Sequence, residues 1–187
     1  SMSYNTQEPK HAVKLPGYSY DANGNLVARP GQTLTWDVEN RLASIAGSVS
    51  EQYLYDADGQ RVKKTAGGVV TYYPFPGYEV RAGVVTRYYT FGGQVVAMRQ
   101  GSALTLLHGD HLGSTVLTTG VGGDKRHYYF AYGRRRWGDT LPTDRTFTGQ
   151  VQDASGLIYM NARDYDPAPG HCLSPDTRVA QAVSLRA

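Results

Sequence analysis

The chain has 187 residues, a formal net charge of +3 and 40% apolar residues, which is enough to bury one sizeable core. Its single cysteine excludes a disulfide framework and a cysteine-based zinc site. The mild basicity predicts a solvated surface and no nucleic-acid partner, and the one run of three arginines, at 134–136, is expected to be a solvated loop. No apolar run is long enough for a transmembrane helix and no signal peptide is visible, so localisation stays open.

In chain order, residues 1–16 are polar and without periodicity, which predicts a flexible N-terminal arm. Over residues 17–138, short β-branched and aromatic runs alternate with glycine-containing turns every 8–12 residues, a pattern typical of antiparallel sheet. Pro74-Phe75-Pro76-Gly77 is expected to interrupt this ladder. Residues 139–177 do not continue this regular alternation of strands and turns. The tail at 178–187 offers at most one short helix face.

An aromatic residue followed by aspartate returns along the first part of the chain, at Tyr20-Asp21, Trp36-Asp37 and Tyr55-Asp56. The aspartates are 16 and then 19 positions apart, which indicates a stacked array. We expect each of these aspartates to bond the amides of its own turn, as in Asx-turns. The sequence therefore predicts an all-β array of short antiparallel strands and hairpins, of a kind that presents or encloses a surface.

Three segments, in this order, resemble the RHS/YD-repeat proteins and specifically their RHS-associated core. They are the Tyr-Asp repeats, the segment His108-Gly109-Asp110-His111-Leu112-Gly113-Ser114, and Phe147-Thr148-Gly149 with Gly156–Pro167. The resemblance assigns 17–138 to the YD-repeat sheet, 139–177 to the core motif and 178–187 to a divergent tail. It implies part of a β-rich shell, similar to those of bacterial toxin complexes and teneurins. Such a parent is secreted or on the cell surface and encloses a toxic C-terminal domain.

The resemblance also implies chemistry, because the family core cleaves its own chain with aspartates and an arginine. Matched residue by residue, Arg163 and Asp176 fall on positions of that kind, and Asp166 falls on the motif's Asp-Pro with a structural role. The family has a second catalytic aspartate and its cleavage site farther downstream, whereas this sequence ends eleven residues after Asp176. We therefore expect a truncated reading frame and no self-cleavage, so the leading function is structural.

The segment around Gly109 also carries a cluster of possible metal ligands. His108, Asp110 and His111 could hold Zn²⁺ or a similar divalent ion, and otherwise the chain needs no cofactor. A regular strand brings only two of them to one face, so three ligands need a bulge at Gly109. A third ligand could instead come from His127, Asp124 or His171. The alternative is that His108 and Asp110 bond to neighbouring strands without a metal.

This cluster defines the competing function, a small, metal-dependent hydrolase acting on phosphate or other esters. Arg134 or Arg163 would then bind the anionic part of the substrate. The sequence does not decide whether the chain is an enzyme.

Tyrosine doublets at 72–73, 88–89 and 128–129 are each expected to split between the two faces of a strand. Tyr72, Tyr88 and Tyr128 could line an aromatic groove for a sugar or a peptide, and cross-strand stacking on a wet face is the alternative. A sheet of so few repeats has two open edges, and open edges invite pairing with another chain. The sequence therefore predicts a homo-oligomer, most simply a dimer.

Overall fold

The computed structural model describes residues 3–4 and 12–176, with side chains from residue 12 onward. The first ten strands are β1 (Ser3–Tyr4), β2 (Val13–Lys14), β3 (Ser19–Tyr20), β4 (Leu26–Arg29), β5 (Gln32–Trp36), β6 (Leu42–Gly47), β7 (Glu51–Tyr55), β8 (Arg61–Ala66), β9 (Val69–Phe75) and β10 (Tyr78–Arg81). The second ten are β11 (Val84–Phe91), β12 (Gln94–Gln100), β13 (Ala103–Gly109), β14 (Thr115–Gly120), β15 (Lys125–Tyr129), β16 (Arg135–Gly138), β17 (Val151–Gln152), β18 (Ile158–Tyr159), β19 (Asp164–Asp166) and β20 (His171–Cys172). A 3₁₀ turn spans Phe147–Gly149.

Strands β3 to β16 form one 14-stranded sheet whose spatial order follows the sequence. Every neighbouring pair is antiparallel, so the sheet is a continuous meander of hairpins. Glycines at the hairpin turns, such as Gly59 and Gly83, have φ near +80°, a conformation that other residues rarely adopt. The predicted all-β antiparallel array is confirmed, and among the described residues no helix is long and apolar enough to cross a membrane.

Residues 139–176, which we call the closing segment, cover one face of the large sheet. This segment contains a second, four-stranded meander made of β17 to β20. Its backbone is joined to the large sheet at both ends of the segment, because Leu26 donates an N–H to the carbonyl of Leu173 and Thr115 donates one to the carbonyl of Thr146. We call the covered face the inner face and the opposite one the outer face.

The N-terminal part of the inner face is apolar. Leu157 and Leu173 of the closing segment lie in one core cluster with five side chains of β4 to β7, namely Leu26, Leu34, Leu42, Ile45 and Tyr53. The strand alternation explains the selection, since Tyr53 is buried while its neighbour Leu54 is 57% exposed on the outer face. Full burial of each leucine stabilises the fold by about 1.5–3 kcal/mol, so this cluster anchors the closing segment.

Two local predictions are wrong. Pro74 does not interrupt the ladder but lies inside β9, where the strand already extends beyond its pairing with β8, which ends at Lys63 opposite Tyr72. On its other side β9 pairs with β10, where a register shift between Tyr78 and Val80 leaves Pro74 outside the regular pairing. The missing N–H of the proline therefore breaks no hydrogen bond between strands. Residues 135 and 136 of the arginine run form strand β16 instead of a loop.

The predicted flexible arm at 1–16 lies mostly outside the described residues. Its described end is ordered by pairing, because β1 pairs with β2 and the amide of Val13 donates to the Tyr20 hydroxyl at 3.2 Å. Ala12 and Val13 are buried. The divergent tail and its predicted helix lie outside the described part of the chain.

Candidate functional site: a buried charge cluster

The repeat aspartates stabilise one recurring turn. In each case the aspartate N–H donates to the carbonyl four residues on, and the amide three residues on donates back to the aspartate carbonyl. One carboxylate oxygen then accepts the amide four residues on, at 2.8 Å for Asp21, 2.9 Å for Asp37 and 2.8 Å for Asp56. The prediction that these aspartates bond turn amides is confirmed.

Asp110 belongs to the same series, although the sequence around it looks like a metal site. Its carboxylate accepts the amides of Leu112 and Ser114, both at 2.9 Å, in the same backbone pattern. The expected bulge at Gly109 is present as a register shift, but it leads into this turn. His108 is exposed, with Nε2 3.1 Å from Thr119 Oγ1. Asp110 therefore serves its own turn.

The structure does not gather His108, Asp110 and His111 into a ligand set. Within residues 12–176, no group of three or more His, Cys, Asp or Glu side chains is placed to hold a metal ion. The proposed extra ligand His127 is buried on the inner face, where Nδ1 lies 3.0 Å from the carbonyl of Asp139. The geometry thus offers the hydrolase hypothesis no metal centre in the described part of the chain.

Asp153 occupies the same turn position but uses its carboxylate differently. Its N–H donates to the carbonyl of Leu157 at 2.8 Å, and Gly156 donates back to its carbonyl at 2.9 Å. The carboxylate, however, accepts hydrogen bonds from Arg61 Nη1 at 2.8 and 3.0 Å and from Lys64 Nζ at 2.8 Å. The carboxylate in this turn of the closing segment therefore forms ion pairs with strand β8 of the large sheet.

Arg61 is the centre of this cluster. Its Nη2 reaches Asp164 Oδ1 at 3.1 Å, so one guanidinium joins two carboxylates from different parts of the closing segment. The guanidinium also lies between two aromatic rings, with its carbon 4.3 Å from the Tyr53 centroid and 3.9 Å from the Tyr159 centroid. Only 1% of the Arg61 side chain is exposed, so these contacts are made away from water.

Glu51 of β7, the strand next to β8, binds the same turn through hydrogen bonds. Its carboxylate accepts the amides of Ala154 at 3.2 Å and Ser155 at 3.0 Å, together with the Tyr53 hydroxyl at 3.0 Å. We define the charge cluster by its side chains: Glu51, Arg61, Lys64, Asp153 and Asp164.

The pKa values in the charge cluster reflect competition between burial and pairing. Burial raises the pKa of the Asp164 carboxyl to about 7, although Arg61 opposes the rise. Burial alone would lower the pKa of Arg61, but Asp153 and Asp164 raise it well above its ordinary value. Lys64 behaves in the same way, because Asp153 outweighs burial and raises its pKa. Both cations are therefore locked in their charged forms.

A second polar contact joins the closing segment to the middle of the sheet. Tyr88 of β11 donates to Glu79 Oε1 at 3.2 Å, and its hydroxyl lies 3.0 Å from Thr143 Oγ1. Burial raises the pKa of Glu79 to about 7, and Asp144 adds to the rise while Arg145 opposes it. Tyr88 is thus a buried tether, which corrects its prediction as a groove residue.

The tyrosine doublets at 72–73 and 88–89 split between the faces, but Tyr72, Tyr88 and Tyr128 do not share a groove. Tyr72 is 49% exposed on the outer face, with Lys63 Nζ 5.8 Å from its ring centroid. Tyr128 is on the outer face too, stacked on Trp137 at 4.0 Å. Tyr72 and Tyr128 lie six strands apart, roughly 29 Å at the usual strand spacing. Tyr128 instead shows the cross-strand stacking given as the alternative.

The three positions matched to self-cleavage lie in two separate places. Arg163 Nη2 lies 3.5 Å from Asp176 Oδ2, in an ion pair whose side chains are 37% and 61% exposed. Asp166 is buried elsewhere, where Oδ2 accepts Arg29 Nη1 at 2.7 Å and the Tyr18 hydroxyl at 3.1 Å. The contacts of Asp166 fix the closing segment to β4 and to Tyr18, the residue just before β3, as a structural residue would.

Sequence reasoning missed the charge cluster. The letters Asp153-Ala154-Ser155-Gly156 do repeat the Asp-x-x-Gly turn signal, so the turn itself could have been found. Nothing local reveals that the Asp153 carboxylate points away from its turn, because its partners Arg61 and Lys64 are about ninety positions earlier in the chain.

Comparison with known proteins gives matches in sequence and in structure, although no family model matches. The chain is 30% identical, over 94% of its length, to the tRNA3(Ser)-specific nuclease WapA of Bacillus spizizenii and to the tRNA nuclease WapA of Bacillus subtilis. It spans only 8% of the length of each of these relatives.

The structural matches concern the fold. The crystal structure of TcdB2-TccC3 superposes with a TM-score of 0.72 at 22% identity, covering 84% of this chain and 10% of that one. The Tc holotoxin pore of Photorhabdus luminescens gives 0.71 at 21% identity, covering 86% and 10%. These neighbours are RHS/YD-repeat toxin shells. Repeats, closing motif, sequence relatives and fold agree, and the chain belongs to the RHS/YD-repeat proteins.

Proposed function

We propose that this chain is a structural element, part of the wall of a β-shell in a larger RHS/YD-repeat protein. The observation that carries the proposal is the closing segment, which is fixed on the inner face of a 14-stranded meander by an apolar cluster and the charge cluster. The relatives are named as tRNA nucleases and toxin complexes, and the chain spans 8–10% of each. This supports a parent whose toxic activity lies in another part of its chain.

We propose further that this segment does not cleave itself. An aspartic mechanism needs two carboxyl groups that share a proton, so that one activates water and the other protonates the leaving group. Asp176 is paired with the guanidinium of Arg163, and both side chains are substantially exposed. Asp164 has a raised pKa, but its carboxylate is bound to buried Arg61.

Intact mass spectrometry over several days at 25 °C tests whether the chain cleaves itself. We expect the mass to stay at the 20.5 kDa of the full chain. A shortened species that forms in the wild type and disappears in Asp176→Ala would overturn the proposal. Its persistence in that variant would point to a contaminating protease, which a second purification removes.

A protected closing segment is the positive sign of the structural role. In hydrogen exchange, we expect the amides of β18 and β19 to be protected as strongly as those of β7 and β8, because the charge cluster links them. Rapid exchange throughout residues 151–172, with β7 and β8 protected, would contradict the proposal.

The homo-oligomer is part of the same proposal. Strands β3 and β16 are the edges of the described 14-stranded sheet, and an open edge can pair with a second copy. We expect a dimer in light scattering at micromolar concentration. A monomer at every concentration up to about 100 μM would contradict edge pairing while leaving the shell-wall role intact.

A further inference from the structure

The hairpin made by β15 and β16, residues 125–138, gathers positive charge at one edge of the large sheet. Five of its side chains are cationic and none is acidic: Lys125, Arg126, Arg134, Arg135 and Arg136. We call these residues the basic hairpin. The sequence shows only the run at 134–136, and the antiparallel pairing brings Lys125 and Arg126 onto the same small element.

Exposed aromatic rings accompany these charges. Phe130 is 45% exposed and is approached by two guanidinium groups, whose carbons lie 4.7 Å (Arg134) and 6.0 Å (Arg136) from its centroid. Trp137 is 56% exposed and stacks on Tyr128 at 4.0 Å with an interplanar angle of 18°. The hairpin thus presents flat π surfaces directly beside cations.

The arginines of the basic hairpin are not neutralised within the protein. Across residues 12–176, no ion pair involves Arg126, Arg134 or Arg136, whereas Arg29, Arg41 and Arg61 all contact carboxylates. Arg135 instead donates to the carbonyl of Gly138. A guanidinium that lies over an aromatic ring keeps its in-plane N–H groups available for an anion. The guanidinium groups of Arg134 and Arg136, which lie over Phe130, are therefore available to phosphate groups, and Arg126 joins them because it makes no ion pair within these residues.

We propose that the basic hairpin binds single-stranded nucleic acid, which reverses the expectation of no nucleic-acid partner that was based on the run at 134–136 alone. Arg126, Arg134 and Arg136 would contact successive phosphates, and a base would stack on the exposed Trp137 ring. Single-stranded nucleic acid combines repeated negative charge with flat π faces, and proteins bind it with basic grooves that carry stacking aromatics. A base-free polyanion would use the arginines but leave the aromatic rings without a role. This binding is separate from the shell-wall function and does not depend on it.

The test measures the fluorescence anisotropy of a fluorescein-labelled 12-nucleotide oligouridylate titrated with the full chain between 50 and 200 mM salt. We expect saturable binding. The logarithm of the association constant should fall linearly with the logarithm of the salt concentration, with a slope of about −2, as three neutralised phosphates of a single strand predict. Inorganic polyphosphate of matched charge should compete at least tenfold less well, since it offers no base to stack.

Variants separate the two kinds of contact. The double variant Arg134→Ala/Arg136→Ala should reduce the slope to about −0.7, because one phosphate contact remains. Trp137→Ala should weaken binding about tenfold with the slope unchanged, and Trp137→Phe should recover most of that loss by keeping a stacking surface. The matched control is Arg87→Ala/Arg99→Ala, an exposed cross-strand pair on β11 and β12 whose removal costs the same charge and should leave binding unchanged.

Three results would overturn the proposal. The first is no saturable binding at 50 mM salt. The second is polyphosphate competing as well as the RNA while Trp137→Ala binds normally, which would identify a surface for base-free anionic polymers. The third is an equal loss in the Arg87/Arg99 control, which would show that only overall charge matters.

Discussion

Asp56 and Asp153 occupy the same position in the same turn, yet their carboxylates have different partners. The Asp56 carboxylate accepts the amides of Asp58 and Gln60 inside its own exposed turn. The Asp153 carboxylate binds Arg61 and Lys64 on another element and is buried. The comparison teaches that the backbone pattern fixes the turn, while the element packed over the turn decides how the charge is used.

The two uses differ in energy. A hydrogen bond within an exposed turn contributes about 0.5–1.5 kcal/mol net, because water replaces it when it is lost. Removing one partner from a buried ion pair costs about 3–5 kcal/mol, because it leaves an uncompensated charge. The charge cluster therefore need not add net stability over an apolar core, but it strongly disfavours any other placement of the closing segment.

The largest expected effect comes from Arg61→Ala. It leaves the carboxylates of Asp153 and Asp164 facing each other without their shared cation and removes the contacts to the rings of Tyr53 and Tyr159. We expect the free energy of unfolding in urea to fall by about 3–5 kcal/mol.

The neighbouring Lys63→Ala is the matched control, since Lys63 Nζ lies over the outer-face Tyr72 ring, and it should cost below about 0.5 kcal/mol. If Arg61→Ala does not fold, Arg61→Lys keeps the charge without the bidentate geometry and should lose roughly half as much. Equal losses for Arg61→Lys and Lys63→Ala would contradict the role of the charge cluster.

The next effect is a pH dependence from Glu79, which tests whether buried carboxyl groups hold the closing segment as neutral acids. Its folded pKa is about 7 against an ordinary 4.5, and the charged groups around it are Asp144, Arg145 and Lys64, with Tyr88 as hydrogen-bond donor. The contribution of Glu79 is complete below pH 4.5 and is lost as pH rises through 7, because only the unfolded chain releases the proton between these values.

Over that window we expect the free energy of unfolding to fall by on the order of 3 kcal/mol through Glu79. Urea titrations at pH 4.5 and 7.5 should show a smaller difference for Glu79→Gln. Some difference will remain in this variant, since the pKa of Asp164 is raised in the same direction. An unchanged difference would contradict the assignment.

The smallest effect is expected at the exposed pair Arg163–Asp176. Its side chains are 37% and 61% exposed, so solvent screens the attraction and Arg163→Ala should cost about 0–1 kcal/mol. Thermal unfolding at low and at 0.5 M salt checks this. A loss comparable to that of Arg61→Ala would mean that the closing segment is held at its end and not by the charge cluster.

Much of the fold could be predicted from sequence, because its signals are local. Turn glycines, alternating strands and the repeat aspartates each act within a few residues, and the meander adds only neighbouring pairs. The proline in β9 was misjudged because its effect depends on which partner strand ends beside it. The family resemblance added the closing motif and the likeness to toxin shells.

The candidate site could not be predicted in the same way. Arg61 resembles any strand arginine until the closing segment folds over it. Asp110 looks like a metal ligand because the letters around it contain two histidines, whereas its geometry is that of the repeat turns. The basic hairpin could be predicted in part. Its cationic composition is visible in the sequence, but the stacking of Tyr128 on Trp137 follows only from the register in which β15 and β16 pair.

The most direct test makes one substitution at both turns, Asp56→Asn and Asp153→Asn, and measures the free energy of unfolding in urea at pH 7. Asparagine can still accept a turn amide, so Asp56→Asn should lose below about 1 kcal/mol. Asp153→Asn leaves Arg61 and Lys64 short of one buried negative charge and should lose at least about 2 kcal/mol more. Equal losses at the two positions would contradict the claim that the closing segment is held by the charge cluster.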